Sequence, residues 1–371
     1  MQLHVISFNV PYPPNYGGVI DVYYKIKELH DLGVKITLHC FEYGRTEADE
    51  LNKICEKVFY YHRDHSMLDF SSLTPYIVKT RKSQPLLNNL LKDDAPILFE
   101  GLHTCYYLGH EKIASRMKLV RMHNVEADYY RALGGIERNI MRKFYFYTES
   151  IKLKFYEKIL SKADCVLPIS SNDYDQLKDK YKQVVFLPAF HPNERVSSST
   201  GLGTFALFHG NLSVNENNQS AVWLAGKVFK GLETELIIAG NNPSTTLQKI
   251  CSAQKNVKLI ANPSFEQMNK LIRDAQINVL PTFQSTGIKL KLLNALFRGR
   301  HVLVNPPMIE NTGLERLCVV AETADEMRTI VQQLMMKEFS ESEKIHREEL
   351  LLASYSNVFN AEKLIGILYL E

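Results

Sequence analysis

Short apolar runs alternate with segments of helical spacing along almost the whole chain. Residues 3–8 read as a buried strand, followed by the loop Asn9-Val-Pro-Tyr-Pro-Pro-Asn15-Tyr16-Gly17-Gly18. Val19, Val22, Tyr23, Ile26 and Leu29 then recur at helical intervals, Gly33 ends that helix, and residues 34–41 form the next strand. This strand–turn–helix–strand unit opens a Rossmann-like half. Further short strands are predicted at 58–61, 96–99, 118–122 and 184–187, with another within 163–170. The polar, proline-punctuated stretch 68–92 is predicted as helices. Residues 136–162 read as one long helical tract with its aromatics packed inward and its lysines solvated.

Residues 191–203 are small and polar and read as a linker, after which the pattern restarts. A strand at 204–208 runs into His209-Gly210-Asn211 and a helix holding Val222, Trp223, Leu224 and Val228. Strands at 235–239, 257–260 and 277–280 follow, with a helix at 264–273 capped by Ser264 in a capping box with Gln267. Next come a helix from Lys289, a stop at Gly299 and a β-branched strand to Val304. An edge strand at 319–320 and helices at 324–336 and 361–370 close the chain. The expected fold is α/β, two Rossmann-like domains over 1–195 and 196–355, with a C-terminal segment at 356–371.

The chain has 371 residues, long for one core, which agrees with two domains. A net charge of +3 is too small for the concentrated basic face that nucleic acid requires. The six cysteines lack Cys-x-x-Cys spacing, so neither a zinc site nor a disulfide framework is expected. The start reads as a strand rather than a signal peptide, and no apolar run approaches the roughly 20 residues that span a bilayer. A cytoplasmic location follows as an expectation.

Candidate chemistry gathers where strands end. Gly17-Gly18 would let the backbone approach a diphosphate or sugar before a helix N-terminus, although a plain tight turn is the alternative. It is not Gly-x-Gly-x-x-Gly, so dinucleotide redox chemistry is disfavoured. His123 follows the strand 118–122 and could hydrogen-bond a sugar hydroxyl or move a proton; a structural histidine is the alternative. Asn124, Asn217 and either Ser171 or Asn172 are expected as helix caps. Lys289 and Lys291 open a helix just after an apolar strand, where cations oppose the helix dipole. Such a placement suggests a phosphate outside the helix, against the alternative of two solvated lysines.

The run Thr286-Gly287-Ile288-Lys289-Leu-Lys291-Leu-Leu-Asn294-Ala-Leu, followed by Gly299 and an apolar strand, resembles the donor-site motif of family 4 glycosyltransferases of the GT-B fold. His123-Asn124-Val-Glu126 before a helix is similar to the same family's N-domain signature, and Phe208-His-Gly210 to the opening of its second domain. The resemblance implies two Rossmann-like domains facing each other across a cleft, and a retaining, metal-independent, hexosyltransferase-like enzyme. Its donor would be a UDP- or GDP-sugar and its acceptor a glycan or lipid-linked molecule of polysaccharide or cell-surface glycan synthesis. The implied catalytic residues are His123, Lys289 and Lys291. Gly17, Gly18, Gly210, Asn211, Gly240, Thr286, Gly287, Ile288 and Asn294 would bind the donor. Asn15, Tyr16, Glu100 and Glu126 would lie on the acceptor side. No cofactor or metal is expected. Peripheral contact with the inner membrane face is suggested by the bases and aromatics of 142–156, and the final helix is expected to cross back towards the N-domain. The sequence departs from the family where paired glutamates eight apart are replaced by Thr286 and Asn294. It also departs at the Asn211 loop, which is asparagine-rich where the family carries bases. These departures motivate a second reading, a catalytically weak homologue that binds a nucleotide or serves as a partner subunit.

Overall fold

A computed structural model describes residues 1–64, 72–137, 139–283, 289–310 and 312–369. The chain divides into two compact units, one of Met1–Pro192 with Tyr355–Glu371 and one of Asn193–Ser285 with Lys289–Ser354.

The first unit is built on β1 (Gln2–Ser7), β2 (Lys35–Glu42), β3 (Lys57–His62), β4 (Ile97–Glu100), β5 (Lys118–Met122) and β6 (Cys165–Pro168). All pair in parallel, in the order β3-β2-β1-β4-β5-β6. Their continuous apolar character fits strands covered by helices on both faces. The helix Gly17–Asp31 lays Val22, Ile26 and Leu29 on one face of the sheet. The last helix, Asn357–Leu368, adds Ala361, Leu364 and Ile367 to the same core, so the C-terminus completes the first unit.

The second unit repeats the scheme with β7 (Ala206–His209), β8 (Leu236–Gly240), β9 (Val257–Ala261), β10 (Ile277–Val279), β11 (His301–Val304) and β12 (Val319–Val320). The order is β12-β11-β10-β7-β8-β9, again parallel. In both sheets the winding reverses beside the first strand, between β1 and β4 and between β7 and β10. An open parallel sheet leaves a crevice outside the carboxyl ends of its strands at that reversal.

Several local expectations are corrected. The tract 136–162 is not one helix: Ile136 ends the preceding helix Glu126–Ile136, and the tract holds the helix Ile140–Tyr156 followed by a 3₁₀ turn at Glu157–Lys162. Its apolar residues do not all turn inward: Ile140, Phe144, Ile151 and Phe155 are 80%, 69%, 55% and 68% exposed along one stripe of the second helix. Asn124 and Asn217 do not cap, because Val125 and Val214 occupy those N-cap positions. Ser170, not Ser171 or Asn172, caps the helix Ser171–Leu177 by accepting from the Asp173 amide. Ser264 caps by accepting from the Gln267 amide at 3.1 Å, but no reciprocal Gln267 side-chain bond completes a capping box among the described residues. The segment after Pro192 is packed rather than loose: Ser198 is buried, and its Oγ donates to the Gly299 carbonyl at 2.6 Å. No helix among the described residues is long and apolar enough to cross a membrane.

Candidate active site

In the first unit, β1, β4 and β5 end side by side and deliver Phe8, Glu100 and His123 to the crevice edge. His123 Nε2 lies 3.0 Å from Glu100 Oε2. An ionised carboxylate only accepts, so Nε2 carries a hydrogen, and in that tautomer the lone pair lies on Nδ1. That Nδ1 is buried and has no hydrogen-bond partner among the described residues. The Phe8 ring meets the imidazole edge-on at 5.3 Å and fixes its orientation.

Behind His123 lies an ion network that sequence reasoning missed. Lys25 Nζ is 2.9 Å from Asp21 Oδ2 and 2.7 Å from Glu100 Oε1. Arg121 grips Asp21 through two bonds, 2.8 Å from Nη2 and 3.2 Å from Nε. Asp21, Lys25, Glu100 and Arg121 are wholly buried. Burial alone would raise both carboxyl pKa values. The Arg121 guanidinium and Lys25 ammonium outweigh it at Asp21, and Lys25 with the His123 bond outweighs it at Glu100, so both are held below the usual range. A signal was present in the sequence: Asp21 and Lys25 fall four apart on the apolar face that carries Val22, Ile26 and Leu29.

Asp21, Glu100 and His123 offer ligand atoms within 4.8 Å of one another. The donor set nevertheless does not suit a divalent ion, because Lys25 and Arg121 already set two cations against the two carboxylates. Glu100, expected on the acceptor side, therefore lies beneath His123 and acts through it.

Other expected residues take distinct places. Asn15 Oδ1 accepts from Arg45, and the Tyr16 hydroxyl accepts from Asn9 Nδ2 at 2.9 Å. Gly17 starts its helix with no side-chain cap. At Gly18 a Cβ would sit 2.6 Å from Phe8 Cζ, so this glycine makes room for the ring that orients His123. Glu126 opens the next helix and is buried, and its Oε1 has no hydrogen-bond partner among the described residues. Burial, partly offset by an Asn124 hydrogen bond and Arg81, pushes its pKa up to about 8.

In the second unit the crevice edge is formed by β7 and β10. The loop after β7 brings Gly210 and Asn211, and Asn217 Nδ2 donates to the Asn211 carbonyl at 3.0 Å. Lys291, in the first turn of the helix Leu290–Arg298, donates from Nζ to Asn217 Oδ1 at 2.8 Å and lies 5.6 Å from the Phe208 ring centroid. No carboxylate lies within ion-pair distance of its ammonium among the described residues, so burial, only partly opposed by Glu216, lowers its pKa to about 8. Lys289, the N-cap residue, is also lowered by burial. Glu216 accepts from the Thr282 hydroxyl beyond β10. Gly240 ends β8 against the next loop, where a Cβ would lie 1.9 Å from the Gly210 carbonyl oxygen. Asn294 Oδ1 accepts from Arg298 Nε at 3.0 Å, which ties it to its own helix. Thr286, Gly287 and Ile288 lie outside the described residues.

No family model matches the chain. An uncharacterized 44.6 kDa protein in the cps region of Klebsiella pneumoniae is 28% identical over 331 residues, 84% of each chain. A glycosyltransferase structure from Rickettsia africae superposes with a TM-score of 0.66 at 13% identity, covering 99% of this chain and 97% of that one. S. aureus TarM, in a complex with UDP, fondaparinux and alpha-GlcNAc-glycerol, gives 0.64 at 11% identity over 99% of each. The UDP-forming alpha,alpha-trehalose-phosphate synthase of Burkholderia xenovorans gives 0.65 at 9% identity, also over 99% of each. The architecture, two six-stranded parallel sheets with flanking helices, is the GT-B glycosyltransferase fold.

Proposed function

We propose that the chain is a glycosyltransferase that moves a sugar from a UDP- or GDP-sugar to a hydroxyl of a glycan or lipid-linked acceptor, with retention and without a metal ion. The observation that carries this reading is Lys291, a half-buried ammonium at the reversal point of the second sheet with no carboxylate within ion-pair distance among the described residues. In the transfer, the bond from the anomeric carbon to the diphosphate oxygen breaks and its electron pair stays on the leaving group. Preorganised cations stabilise that charge as it develops. Lys289 and Lys291 would hold the diphosphate, and Gly210 and Gly240 would let the backbone approach it. On the first unit, the Nδ1 lone pair of His123 would take a hydrogen bond from a sugar hydroxyl. The acceptor oxygen bonds to the anomeric carbon and its proton is released.

The cps-region relative supports a role in polysaccharide assembly. The exposed stripe Ile140, Phe144, Ile151 and Phe155, flanked by Arg142, Lys143 and Lys154, supports peripheral contact with an anionic membrane surface from the cytoplasmic side. Co-sedimentation with phosphatidylglycerol vesicles, lost in Phe144→Ser/Phe155→Ser, tests that contact.

The primary test is thermal denaturation with nucleoside diphosphates and their sugar conjugates, with and without a divalent ion. A ligand that binds only the folded protein raises the melting temperature by mass action. A selective rise with one sugar nucleotide, unchanged by metal and lost in Lys291→Ala, is expected. No rise with any of them rejects donor binding. A second reading, a catalytically weak nucleotide-binding homologue, is favoured by Asn294, whose carbonyl is occupied by Arg298. It predicts binding without slow donor hydrolysis.

A further inference from the structure

The first unit carries guanidinium groups that no carboxylate among its described residues pairs with. Arg81 is buried over the Phe41 ring, and its hydrogen bonds go to backbone carbonyls: Nε and Nη2 donate to Phe8 at 3.2 and 3.0 Å, and Nη1 donates to Ile77 at 2.5 Å. Arg63 lies over the Tyr43 ring, 4.4 Å from its centroid, and donates from Nε and Nη2 to Thr80 Oγ1 at 3.3 and 2.9 Å. Its Nη1 makes no hydrogen bond among the described residues. Neither arginine has a carboxylate within ion-pair distance there. Glu149 is engaged elsewhere, accepting from the Tyr76 amide at 2.7 Å and from Lys152 at 2.8 Å. Buried cations are ordinarily paired, because an unneutralised charge in a poorly polarisable setting is costly.

A second observation points into the same place. Glu126 Oε1 and His103 Nδ1 are buried 3.8 Å apart and have no hydrogen-bond partners among the described residues. Arg81 is hydrogen-bonded to the Phe8 carbonyl, the Phe8 ring stands 5.6 Å from the His103 ring, and Arg63 is hydrogen-bonded to Thr80 next to Arg81, so both arginines adjoin this pair. Burial first, then Arg81, His123 and Arg63, pushes the His103 imidazole well below its ordinary range. With its carboxyl raised to about 8, Glu126 is largely protonated at neutral pH and offers an O–H rather than a competing charge.

We propose that the carboxyl edge of the first unit's sheet around Arg63, Arg81 and Glu126 is a subsite for an oxyanion on the acceptor, a phosphate or a carboxylate. Arg63 Nη1 and the Glu126 carboxyl donate to the oxyanion, and Arg81 supplies its charge from behind. The aromatic face of Tyr43 holds the Arg63 fork in place. The subsite rests on the glycosyltransferase reading: it assigns that enzyme an anionic acceptor, either phosphate-linked or carrying a uronic acid.

The test uses the full chain as Lys289→Ala/Lys291→Ala, which removes the proposed diphosphate grip on the second unit. Inorganic pyrophosphate, methyl glucuronide and neutral methyl glucoside are titrated by calorimetry. Binding of pyrophosphate or of the glucuronide, but not of the glucoside, is expected, and the anion that binds names the source. Adding Arg63→Gln should weaken it about tenfold, the worth of one charge-assisted hydrogen bond, and Arg63→Lys should recover part of the loss. An unchanged melting temperature on adding Arg63→Gln shows that the variant is folded. Absence of binding by either anion, or equal binding in Arg63→Gln, overturns the subsite. UDP- or GDP-sugar binding by the otherwise native Arg63→Gln protein reports separately on the donor reading, so the two failures are distinguishable.

Discussion

Glu100 Oε2 lies 3.0 Å from His123 Nε2, and the other oxygen of the same carboxylate lies 2.7 Å from Lys25 Nζ. One buried acid thus sets the tautomer of a crevice-edge histidine and neutralises the cation behind it. Breaking such a buried network leaves charges without partners.

Asp21 is the member whose loss should cost most, because it faces both Lys25 and Arg121. Asp21→Asn is expected to destabilise the protein by about 3–5 kcal/mol in urea denaturation. A loss under about 1 kcal/mol would mean that Glu100 alone satisfies both cations.

Lys291 carries a charge that no carboxylate among the described residues pairs with directly. Its pKa is near 8 in the folded chain against an ordinary 10.5, so folding favours the deprotonated form and the group costs stability below pH 8. Lys291→Met should therefore melt higher than the native chain at pH 7, by on the order of 1 kcal/mol, while losing nucleotide-dependent stabilisation. In the native protein, affinity for a nucleoside diphosphate should fall as pH rises above 8. Calorimetry at pH 7 and pH 9.5 checks this, and a flat profile would remove Lys291 from the diphosphate.

A histidine pair sits away from this chemistry. His4 Nδ1 is 2.8 Å from His39 Nε2, their rings stack at 5.1 Å, and His39 Nδ1 is 2.9 Å from the Tyr61 hydroxyl. Burial holds both imidazoles below 6.5, strongly so for His39. The folded state binds fewer protons, so stability is full above pH 6.5 and is lost as pH falls. The loss should grow as pH falls from 6.5 towards 5, with His39 contributing more than His4. Urea midpoints measured from pH 7 to 5 should show this slope, and His39→Gln should flatten it.

Gly240 tests the close approach of two loops at the donor edge. Gly240→Ala must push a Cβ off the Gly210 carbonyl, 1.9 Å away, and should cost about 1–3 kcal/mol together with nucleotide binding. Gly226→Ala is the control: it lies in the helical segment Leu224–Val228 with nothing within 4 Å of the added methyl. It should be neutral or stabilising by about 0.5–1 kcal/mol. Equal losses for both would show that the Gly240 approach is not close-packed in solution.

Alternation of apolar runs with helical spacing determined the α/β class, the restart after residue 203 and the edge on which loops fall, because strand and helix periods are local properties of the chain. It also placed His123 and Lys291 just past strand ends. Which side chains meet is a nonlocal matter, and only the tertiary structure decided it. Arg121 finds Asp21 across 100 residues, and Lys291 finds Asn217 across 74. That pairing turned the expected helix cap at Asn217 into a lysine's partner. Burial was equally illegible: the stripe from Ile140 to Phe155 has the spacing of a packed helix face, yet it is exposed, with no element among the described residues covering it. Periodicity reports that a face is apolar, whereas the packing of distant elements settles whether anything covers it.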